Sequence, residues 1–315
     1  MRKKIFITGA SGCVGHYVLD ELVGRHDLEL HLLCRKPSRL RIDIASIDHV
    51  HVHEGNLKTI EKQRDLLSDC AAIIHIATDW SDSDYARYLN VQQTHEMFSY
   101  TSNTLEKIIY FSTASIMGPG NQVIPEAGKY GSGYVRSKYE AYQSLKTSPY
   151  WEKMYNLFPT LVFGGDETHP ESHISQGLVP SLKFAKVIRF FYLDGKFHYI
   201  HAKDIAKVTR YLLDHDLKKR DLVLGFDAID GKSAVRQVCD MFQIPIYFQK
   251  RINPNIVYML ARLFGIKIGP WEKHCIENPD MSYDVVNPET LGESAAFPKL
   301  HLVLEDIKTR SKWQC

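Results

Sequence analysis

The chain has 315 residues, of which 44% are hydrophobic and 24% are charged, so it is long enough for two structural units and has the composition of a globular protein. Its 39 lysines and arginines nearly balance its 37 aspartates and glutamates, which leaves a formal net charge of +2. No overall field exists to attract nucleic acid or an anionic membrane, although a local basic patch is compatible with this average. We expect no nucleic-acid partner.

The cysteines indicate a reducing compartment. They are scattered and contain no C-x-x-C pair, a pattern that favours neither a disulfide framework nor a zinc site: Cys13, Cys34, Cys70, Cys239, Cys275 and Cys315. The basic start, Met1 to Lys4, precedes an apolar run that is too short for a signal peptide. No stretch approaches the roughly 18 apolar residues of a membrane span. We expect a cytoplasmic protein.

The first half of the chain alternates apolar runs with helical periodicity. Strands are predicted at 5–7, 28–34, 49–53, 71–77 and 108–112. Helices are predicted at 13–23, 57–67, 85–102 and 134–146. This alternation predicts an α/β fold with a doubly wound parallel sheet, because right-handed crossovers place helices on both faces.

The alternation loosens after Pro159, where we expect a smaller, mixed C-terminal lobe that binds the substrate. The main domain is predicted to span residues 1–160. Residues 190–215 are expected to return to it, with 190–200 rejoining the main sheet and 204–213 helical. The lobe would then comprise residues 161–189 and 216–315.

A glycine-rich turn follows the first predicted strand, from Thr8 to Gly15 (TGASGCVG). Glycines permit positive φ and let backbone N–H groups approach a pyrophosphate, whose charge the N-terminus of a helix favours. The turn therefore predicts a dinucleotide site; the alternative is a tight turn that serves packing alone. The predicted contacts here are Thr8, Gly9, Ser11, Gly12, Cys13, Val14 and Gly15.

The second predicted strand ends at Cys34 and is followed by Arg35 and Lys36. An NAD site usually carries an acidic residue at this place for the ribose hydroxyls, and that acid is absent. The two cations favour the 2′-phosphate of NADP(H) by charge-assisted hydrogen bonds. NAD(H) remains possible, since exposed basic residues after a strand are often only a solvated loop.

Tyr134 and Lys138 are four residues apart in a predicted helix, so they share one face. A free tyrosine has a pKa near 10, and a neighbouring cation favours its phenolate. At about 4 Å and an effective dielectric near 20 the pair interacts by about 4 kcal/mol, or roughly three pKa units. Lys138 is therefore expected to bring the pKa of Tyr134 close to neutrality, as an acid/base requires.

These motifs together resemble the extended short-chain dehydrogenase/reductase family, also called the NAD-dependent epimerase/dehydratase family. The resemblance covers about residues 4 to 215. The stretches that carry it are TGxxGxxG at 8–15, IHIA at 74–77, Asn90-Val91, Phe111-Ser112-Thr113, Tyr134-x-x-x-Lys138 and YIHAKDIA at 199–206.

The resemblance implies a Rossmann fold and a nicotinamide cofactor, with Tyr134 as the acid/base and Lys138 on the nicotinamide ribose. A hydroxyl after the fifth strand would assist the substrate carbonyl. Gly118 resembles the glycine that closes the family's motif after this strand, and counting back from it assigns the hydroxyl position to Thr113. Ser112 is the second choice. Asn90 would support the lysine through water. The implied set of further cofactor contacts is Asn56, Leu57, Ile76, Ala77, Thr78, Pro159, Leu161 and Val162.

The sequence departs from the family pattern on the substrate side. Gly55-Asn56-Leu57 replaces a usual Gly-Asp-Leu, Phe158 replaces a frequent arginine, and Met117 replaces a frequent tyrosine. These changes weaken any transfer of nucleotide-sugar substrates from relatives. The side chains singled out as candidates to face the nicotinamide are Asp79, Trp80, Phe163, His169, His173 and Tyr192.

Three functions are compatible with these features. The first is an NADP(H)-dependent oxidoreductase that acts on a carbonyl or secondary alcohol through Thr113, Tyr134 and Lys138. The second is a nucleotide-sugar epimerase or dehydratase that recycles its NAD(P) internally. The third is a non-catalytic dinucleotide-sensing or interaction protein. A homodimer is expected, since the paired helices at 85–102 and 134–146 resemble the family's usual dimer face.

Two further patterns leave alternatives open. Three histidines alternate along a predicted strand, as metal ligands might: His49, His51 and His53. No acidic or cysteine partner for them is evident in the sequence. A polar strand face is therefore favoured, and no metal is predicted. Residues 255–268 are apolar with few charges. Core packing of the small lobe is favoured there, over a lid on an apolar substrate or a helix that touches a membrane.

Overall fold

The structure, a computed structural model, describes residues 2–44, 46–263, 265 and 267–310, so Cys315 and two positions within 255–268 lie outside the described residues. The strands, in chain order, are β1 (Lys3–Thr8), β2 (Leu28–Cys34), β3 (Val50–Glu54), β4 (Ala72–His75), β5 (Lys107–Phe111), β6 (Met117–Gly118), β7 (Gln122–Val123), β8 (Met154–Pro159), β9 (Leu161–Phe163), β10 (Phe191–Tyr192), β11 (Lys196–Phe197), β12 (Tyr199–His201), β13 (Asp221–Leu224), β14 (Ile229–Asp230), β15 (Lys250–Arg251) and β16 (Val285–Val286). The helices are α1 (Cys13–Leu22), α2 (Arg64–Asp69), α3 (Asp84–Arg87), α4 (Thr94–Ser99), α5 (Pro125–Tyr130), α6 (Gly133–Leu145), α7 (His173–Ser181), α8 (Ala185–Ile188), α9 (Ala202–Asp214), α10 (Gly231–Met241), α11 (Pro254–Leu263), α12 (Pro270–Glu277) and α13 (Leu300–Arg310).

A parallel sheet forms the centre of the molecule. Among the described residues it has eight strands in the order β16-β13-β8-β5-β4-β1-β2-β3. Every neighbouring pair is parallel; Ile5, for example, lies opposite Leu30 on one side and Ala72 on the other. The strand order reverses beside β1, as in a doubly wound sheet. The predicted α/β Rossmann-like fold, with small sheets in the C-terminal part, is confirmed.

The two faces of the sheet carry separate apolar cores because strand side chains alternate. Ile5 and Ile7 point to one core, which α1, α9 and α13 cover with side chains such as Val18, Val208 and Leu304. Phe6 points to the opposite core, which α2, α4 and α6 cover. Burial on both faces explains why the strands read as continuous apolar runs in the sequence.

The C-terminal part differs from the predicted division. Residues 190–200 do not rejoin the main sheet, since β10 pairs with β15, β11 with β14, and β12 with β9. The predicted helix at 204–213 does return, as α9, and packs against the sheet. Conversely, β13 and β16 extend the main sheet beyond β8, although both fall inside the predicted lobe at 216–315. Long-range strand pairing of this kind leaves no local sequence signal.

Two predicted helices are irregular. The segment 57–67 begins as a 3-10 helix, Leu57–Gln63, before α2. The segment 85–102 consists of α3, a π-helical turn at Tyr88–Gln93, and α4. A π-turn inserts a residue into the helical ladder and is frequent at functional sites. It contains Asn90, one of the predicted site residues.

Candidate active site

The carboxyl ends of the parallel strands place most of the predicted site residues along one edge of the sheet. The glycine-rich turn follows β1, Ile76 to Thr78 follow β4, and Thr113 follows β5. These three strands are neighbours or next neighbours in the order β5-β4-β1. Ligands in open α/β sheets bind at this edge, where the strand order reverses.

The glycine turn is built for close backbone approach. Gly9 has φ +80, and a Cβ there would lie 2.6 Å from the backbone N of Ala77. A Cβ on Gly15 would overlap the carbonyl oxygen of Gly9, so the third glycine lets α1 pack on the turn. Gly12 is the exposed N-cap residue of α1. A Cβ added to Gly12 would have only the carbonyl oxygen of Gly9 nearby. The N-terminus of α1 is thus open to an anion.

Tyr134 and Thr113 meet at this edge, and both side chains are buried. The Thr113 hydroxyl lies close enough to that of Tyr134 to lower its pKa. Thr113 also caps the short turn that follows β5 through its contact with the Ser115 backbone N–H, at 3.2 Å. Ser112, the second choice for the hydroxyl, has a buried Oγ without a hydrogen-bond partner in the described structure. The geometry favours Thr113 as the partner of Tyr134.

Lys138 lies one turn further along α6 and is 1% exposed. Its Nζ donates to the backbone oxygen of Phe111 at 2.7 Å and stands 5.0 Å from the centroid of the Tyr110 ring. An ammonium has three N–H donors, and this bond uses one of them. A buried cation with donors to spare is a fitting partner for the hydroxyl groups of a bound ribose.

The expected effect of Lys138 on the tyrosine is not found. Burial raises the pKa of Tyr134 above its ordinary value, and the neighbouring Thr113 hydroxyl lowers it by less. Burial also lowers the pKa of Lys138 to about 7. The prediction that Lys138 brings Tyr134 close to neutrality is therefore wrong for this structure, because desolvation disfavours the charged form of each group.

Asn90 makes every hydrogen bond of which its amide is capable. Its Nδ2 donates to the oxygen of Asp79 and to Oγ of Ser137, both at 2.9 Å. Its Oδ1 accepts from the backbone N–H of Asp79 at 2.8 Å and from the Thr78 hydroxyl at 3.0 Å. An amide has two donors and two lone pairs, so none is left for a water bound to Lys138. Asn90 instead fixes the loop after β4 to helix α6.

Trp80 covers the face of the Tyr134 ring. The two rings are stacked with centroids 4.0 Å apart, and His173 of α7 touches Trp80 edge-on at 5.1 Å. The indole itself is 56% exposed. The loop that carries it is held at both ends, by Asn90 at Asp79 and by a hydrogen bond from the Gly133 backbone N–H to the Asp82 carboxylate.

A buried polar network behind the glycine turn was not predicted. His75, at the end of β4, contacts the hydroxyl of Thr8 at 2.6 Å and that of Thr94 at 3.0 Å. Burial lowers the pKa of His75 to about 3, so it is neutral. Thr8 in turn accepts from the Ala77 backbone N–H at 3.2 Å. The signal in the sequence was a single polar residue inside the apolar run 71–77.

The remaining predicted cofactor contacts surround the same edge. Arg35 and Lys36 follow β2 and are exposed. Asn56 follows β3, and its Oδ1 accepts from the Lys58 backbone N–H at 2.8 Å as a helix cap, which explains this residue without a ligand. Leu57 is buried in the core. Pro159 closes β8, whereas Leu161 and Val162 lie in β9, outside the main sheet.

Of the six side chains singled out to face the nicotinamide, Trp80 stacks on Tyr134 and His173 contacts Trp80, whereas the carboxylate of Asp79 accepts hydrogen bonds from Ser81. The other three lie elsewhere. Phe163 is buried in the core, and Tyr192 lies in β10 beside β15. His169 is stacked on Tyr17 of α1 and contacts the carboxylates of Asp20 and Asp166 at 2.6 and 2.7 Å. The contacts with Tyr17 and Asp20 attach the loop after β9 to α1, and the contact with Asp166 lies within that loop.

The histidines of the sheet edge pair with one another. His51 and His53 share a face with His31 of β2, whereas His49 precedes β3 and contacts the oxygen of Val23. No group of three potential metal ligands occurs among the described residues. Likewise, no helix of the described chain is long and apolar enough to cross a membrane.

The residues at the carboxyl edge fit a nicotinamide dinucleotide. The open N-terminus of α1 and the glycine turn suit the pyrophosphate. The buried donors of Lys138 suit a ribose, and Ser112 offers a hydroxyl that lacks a protein partner. The donor set contains no group that would repel an anion at the turn, since the first turn of α1 carries no acidic residue.

Comparison with known proteins agrees with this geometry. The model of the NAD dependent epimerase/dehydratase family matches residues 5–225. No curated protein matches the chain at a significant level.

Solved structures share the fold over the whole chain. The crystal structure of gox2253 is 21% identical with a TM-score of 0.72, and the match covers 98% of this chain and 97% of that one. UDP-N-acetylglucosamine 4-epimerase from Methanobrevibacter ruminantium M1, in complex with UDP-N-acetylmuramic acid, is 15% identical with a TM-score of 0.64 and coverage of 98% and 97%. dTDP-glucose 4,6-dehydratase from Bacillus anthracis, in complex with NAD, is 12% identical with a TM-score of 0.63 and coverage of 97% and 96%.

Proposed function

The chain belongs to the NAD-dependent epimerase/dehydratase family, and from this membership we propose that it exchanges a hydride between a nicotinamide dinucleotide and a substrate carbon bearing a hydroxyl or carbonyl group. The observation that carries the proposal is that the buried side chains of Tyr134 and Thr113 lie together at the carboxyl edge of the sheet, one helical turn from the buried Lys138. Family enzymes use NAD(P), and the residues at the carboxyl edge suit it.

Tyr134 is proposed to hold the proton that the substrate oxygen gains or loses. Its pKa lies above the ordinary value, so the phenol is protonated and ready to donate as carbonyl oxygen becomes hydroxyl. Thr113 lies beside that phenol and would orient the same substrate oxygen. The two hydroxyls would then bracket one atom of the substrate.

Lys138 is proposed to hold the ribose next to the nicotinamide. When bound, the dinucleotide supplies or accepts the hydride. Lys138 contributes by position, because its Nζ is anchored to the Phe111 carbonyl oxygen at 2.7 Å and this bond uses one of its donors. Trp80 covers the Tyr134 ring on one face.

The replacement Tyr134→Phe tests the proposal. It removes the proton and leaves the ring, so turnover should fall by at least about 100-fold, while dinucleotide affinity stays within a few fold. The measurements are kcat with UDP-glucose, UDP-N-acetylglucosamine, dTDP-glucose and simple ketones, and dinucleotide binding by fluorescence titration. Tyr139→Phe, on the same helix, is the control that should keep full activity. Undiminished turnover in Tyr134→Phe would refute the role, and absence of turnover in the wild type with dinucleotide bound would favour a non-catalytic sensor.

Two overall reactions share this hydride step. An epimerase or dehydratase recycles the dinucleotide within one cycle, and the likeness to a UDP-N-acetylglucosamine epimerase and a dTDP-glucose dehydratase supports this candidate best. A net oxidoreductase is the second candidate, and the substrate side favours it, since fully buried Phe158 replaces the family's frequent arginine. The two are distinguished by absorbance at the wavelength of the reduced nicotinamide: only the oxidoreductase changes it stoichiometrically with product.

We further propose that NADP(H) is preferred over NAD(H). Arg35 and Lys36 are exposed directly after β2, where an acidic residue would select NAD. Arg35→Asp should lower the preference for NADP(H) over NAD(H), measured as the ratio of the two dissociation constants, by about 10- to 100-fold, which would weaken or reverse it. The reason is that the variant loses a charge-assisted hydrogen bond to the 2′-phosphate and adds repulsion. Lys62→Asp, an exposed cation elsewhere, is the control. Equal affinities of the wild type for both dinucleotides would contradict the proposal.

A further inference from the structure

Two segments of the C-terminal part contain cations and no acidic residue. Residues 182–193 (LKFAKVIRFFYL) carry three basic residues, and residues 241–270 carry four, which are Lys250, Arg251, Arg262 and Lys267. All 37 aspartates and glutamates of the chain lie outside these 42 residues. The near balance of charge in the whole chain therefore conceals a strongly basic region.

The two segments lie side by side. Strand β10 of the first pairs with β15 of the second, so that Phe191 lies opposite Lys250. The rings of Phe190 and Phe248 are stacked with centroids 4.7 Å apart. Arg189 donates to the carbonyl oxygen of Pro245 at 2.8 Å. Helix α11 follows β15 after two residues, and it borders a cleft lined by Tyr258, Ala261, Arg262, Gly265, Lys267 and Ile268.

This region, which we call the basic apolar surface, also exposes large apolar side chains. Tyr247 is 78% exposed, Val187 65% and Met259 62%, and Phe184 and Phe248 are exposed as well. The local core is made by other side chains of the same segments, Leu182, Ala185 and Phe242. These exposed side chains lie outside that local core, and large exposed apolar patches mark interaction sites.

We propose that the basic apolar surface docks on an anionic membrane leaflet. Asp194, which directly follows the first segment, pairs with Arg251 and offsets one of the seven cations. Aromatic and aliphatic side chains beside an excess of cations have the chemistry of peripheral membrane binding, in which rings enter the headgroup region and cations attract lipid phosphate and carboxylate. Each cation near such a surface adds about a fivefold increase in partitioning. The inference is independent of the substrate of the enzyme.

A second copy of the chain is a poorer occupant of the same surface. In a symmetric dimer this surface would face itself, so the cations of one copy would lie against those of the other. Like charges brought together at an interface disfavour association. An anionic lipid surface has no such penalty, because its charge is opposite in sign.

The test is co-sedimentation of the full chain with vesicles. Vesicles of phosphatidylcholine with about 30% phosphatidylserine should bind the protein at about 0.1 M salt, and about 0.5 M salt should release most of it. Vesicles of phosphatidylcholine alone should bind it at least about tenfold less. Binding to vesicles should be the same with and without dinucleotide and in the Tyr134→Phe variant. Failure of vesicle binding is therefore distinguishable from failure of the proposed function.

Two matched pairs of variants locate the contact. Arg262→Glu/Lys267→Glu should lower partitioning by at least about 100-fold, whereas Lys62→Glu/Lys218→Glu changes the net charge equally elsewhere and should lower it far less. Tyr247→Ser/Met259→Ser should weaken binding by at least about tenfold and reduce its salt-resistant part. Tyr85→Ser removes an exposed ring outside the surface and should not. Circular dichroism melting checks that each variant is folded.

Three outcomes would overturn the proposal. The first is a folded wild type that does not sediment with phosphatidylserine vesicles. The second is equal loss of binding in the Arg262/Lys267 and Lys62/Lys218 pairs, which would assign it to net charge. The third is a concentration-dependent increase in mass in sedimentation velocity that Tyr247→Ser/Met259→Ser abolishes, which would assign the surface to a second copy of the chain.

Discussion

Burial has opposite effects on the pKa values of the two central side chains of the site. It raises the pKa of Tyr134 and lowers that of Lys138 to about 7, so each side chain is driven toward its neutral form. An ion pair between them would require both to ionise where water is scarce. The Tyr-x-x-x-Lys spacing thus fixes the positions of the two side chains on one face of α6.

His75 makes an acid-sensitive link within the site. Its pKa is about 3 in the folded chain against about 6.5 in an unfolded one, so between these values only the unfolded chain binds the proton. Stability from this group is complete above about pH 6.5 and is lost as the pH falls toward 3. The free energy of unfolding should therefore drop by up to about 1.4 kcal/mol per pH unit in this window.

The variant His75→Gln keeps a polar side chain between Thr8 and Thr94 but does not titrate. It should show a shallower loss of stability between about pH 6.5 and 4 than the wild type, measured by urea unfolding at each pH. His301→Gln, at an exposed position of α13, is the control and should follow the wild type. Parallel curves for all three proteins would show that His75 is not the titrating group.

The loop from Thr78 to Ser83 is the element that brings Trp80 onto Tyr134. The π-turn at Tyr88–Gln93 presents Asn90 to both backbone groups of Asp79. At the other end, Gly133 begins α6 against Asp82, where a Cβ would lie 2.5 Å from the carboxylate oxygen and 2.8 Å from the Cα. Because one of these atoms is backbone, the loop cannot yield by a side-chain rotation alone.

Gly133→Ala should therefore displace the loop. We expect a loss of about 1–3 kcal/mol in the free energy of unfolding from overpacking, and a lower kcat because Trp80 no longer covers Tyr134. The checks are urea unfolding and tryptophan fluorescence, with Trp80→Phe used to assign the Trp80 signal. Gly177→Ala, in α7 with open space at its Cβ site, is the control and should be neutral or stabilising. Unchanged fluorescence in Gly133→Ala would contradict this role.

The elements that the sequence predicts well are those whose patterns are local. Strand β2 is found at the predicted bounds, because its run LELHLLC is mostly apolar, as expected for a strand that is largely buried on both faces. The π-turn at 88–93 was read as ordinary helix, since one inserted residue barely alters the periodicity. Stacking of Trp80 on Tyr134 joins residues 54 positions apart, and nothing in their local sequence encodes that contact.

The distribution of charge over the whole molecule matters more than its sum. A net charge of +2 argues against a general attraction to anions, yet 42 residues of the C-terminal part contain no acidic side chain.

The homodimer through the helices at 85–102 and 134–146 stays a prediction. Their pairing within the chain is polar, with Arg87 bound to Glu140 and His95 to Ser144.

Dinucleotide binding should stabilise the molecule as a whole, because the site joins the ends of β1, β2, β4 and β5 with helices α1 and α6. At a concentration 100 times the dissociation constant, binding adds about 2.7 kcal/mol to the free energy of unfolding. For a chain larger than 250 residues this raises Tm by about 5 °C. The shift, measured by differential scanning calorimetry, should be larger for NADP⁺ than for NAD⁺ at equal concentration, and the order should reverse or vanish in Arg35→Asp. Gly15→Ala, whose Cβ would overlap the Gly9 oxygen, should lose the shift with both dinucleotides. A wild type whose Tm responds to neither would show that the glycine turn serves packing alone, since a ligand that binds only the folded chain must raise its Tm.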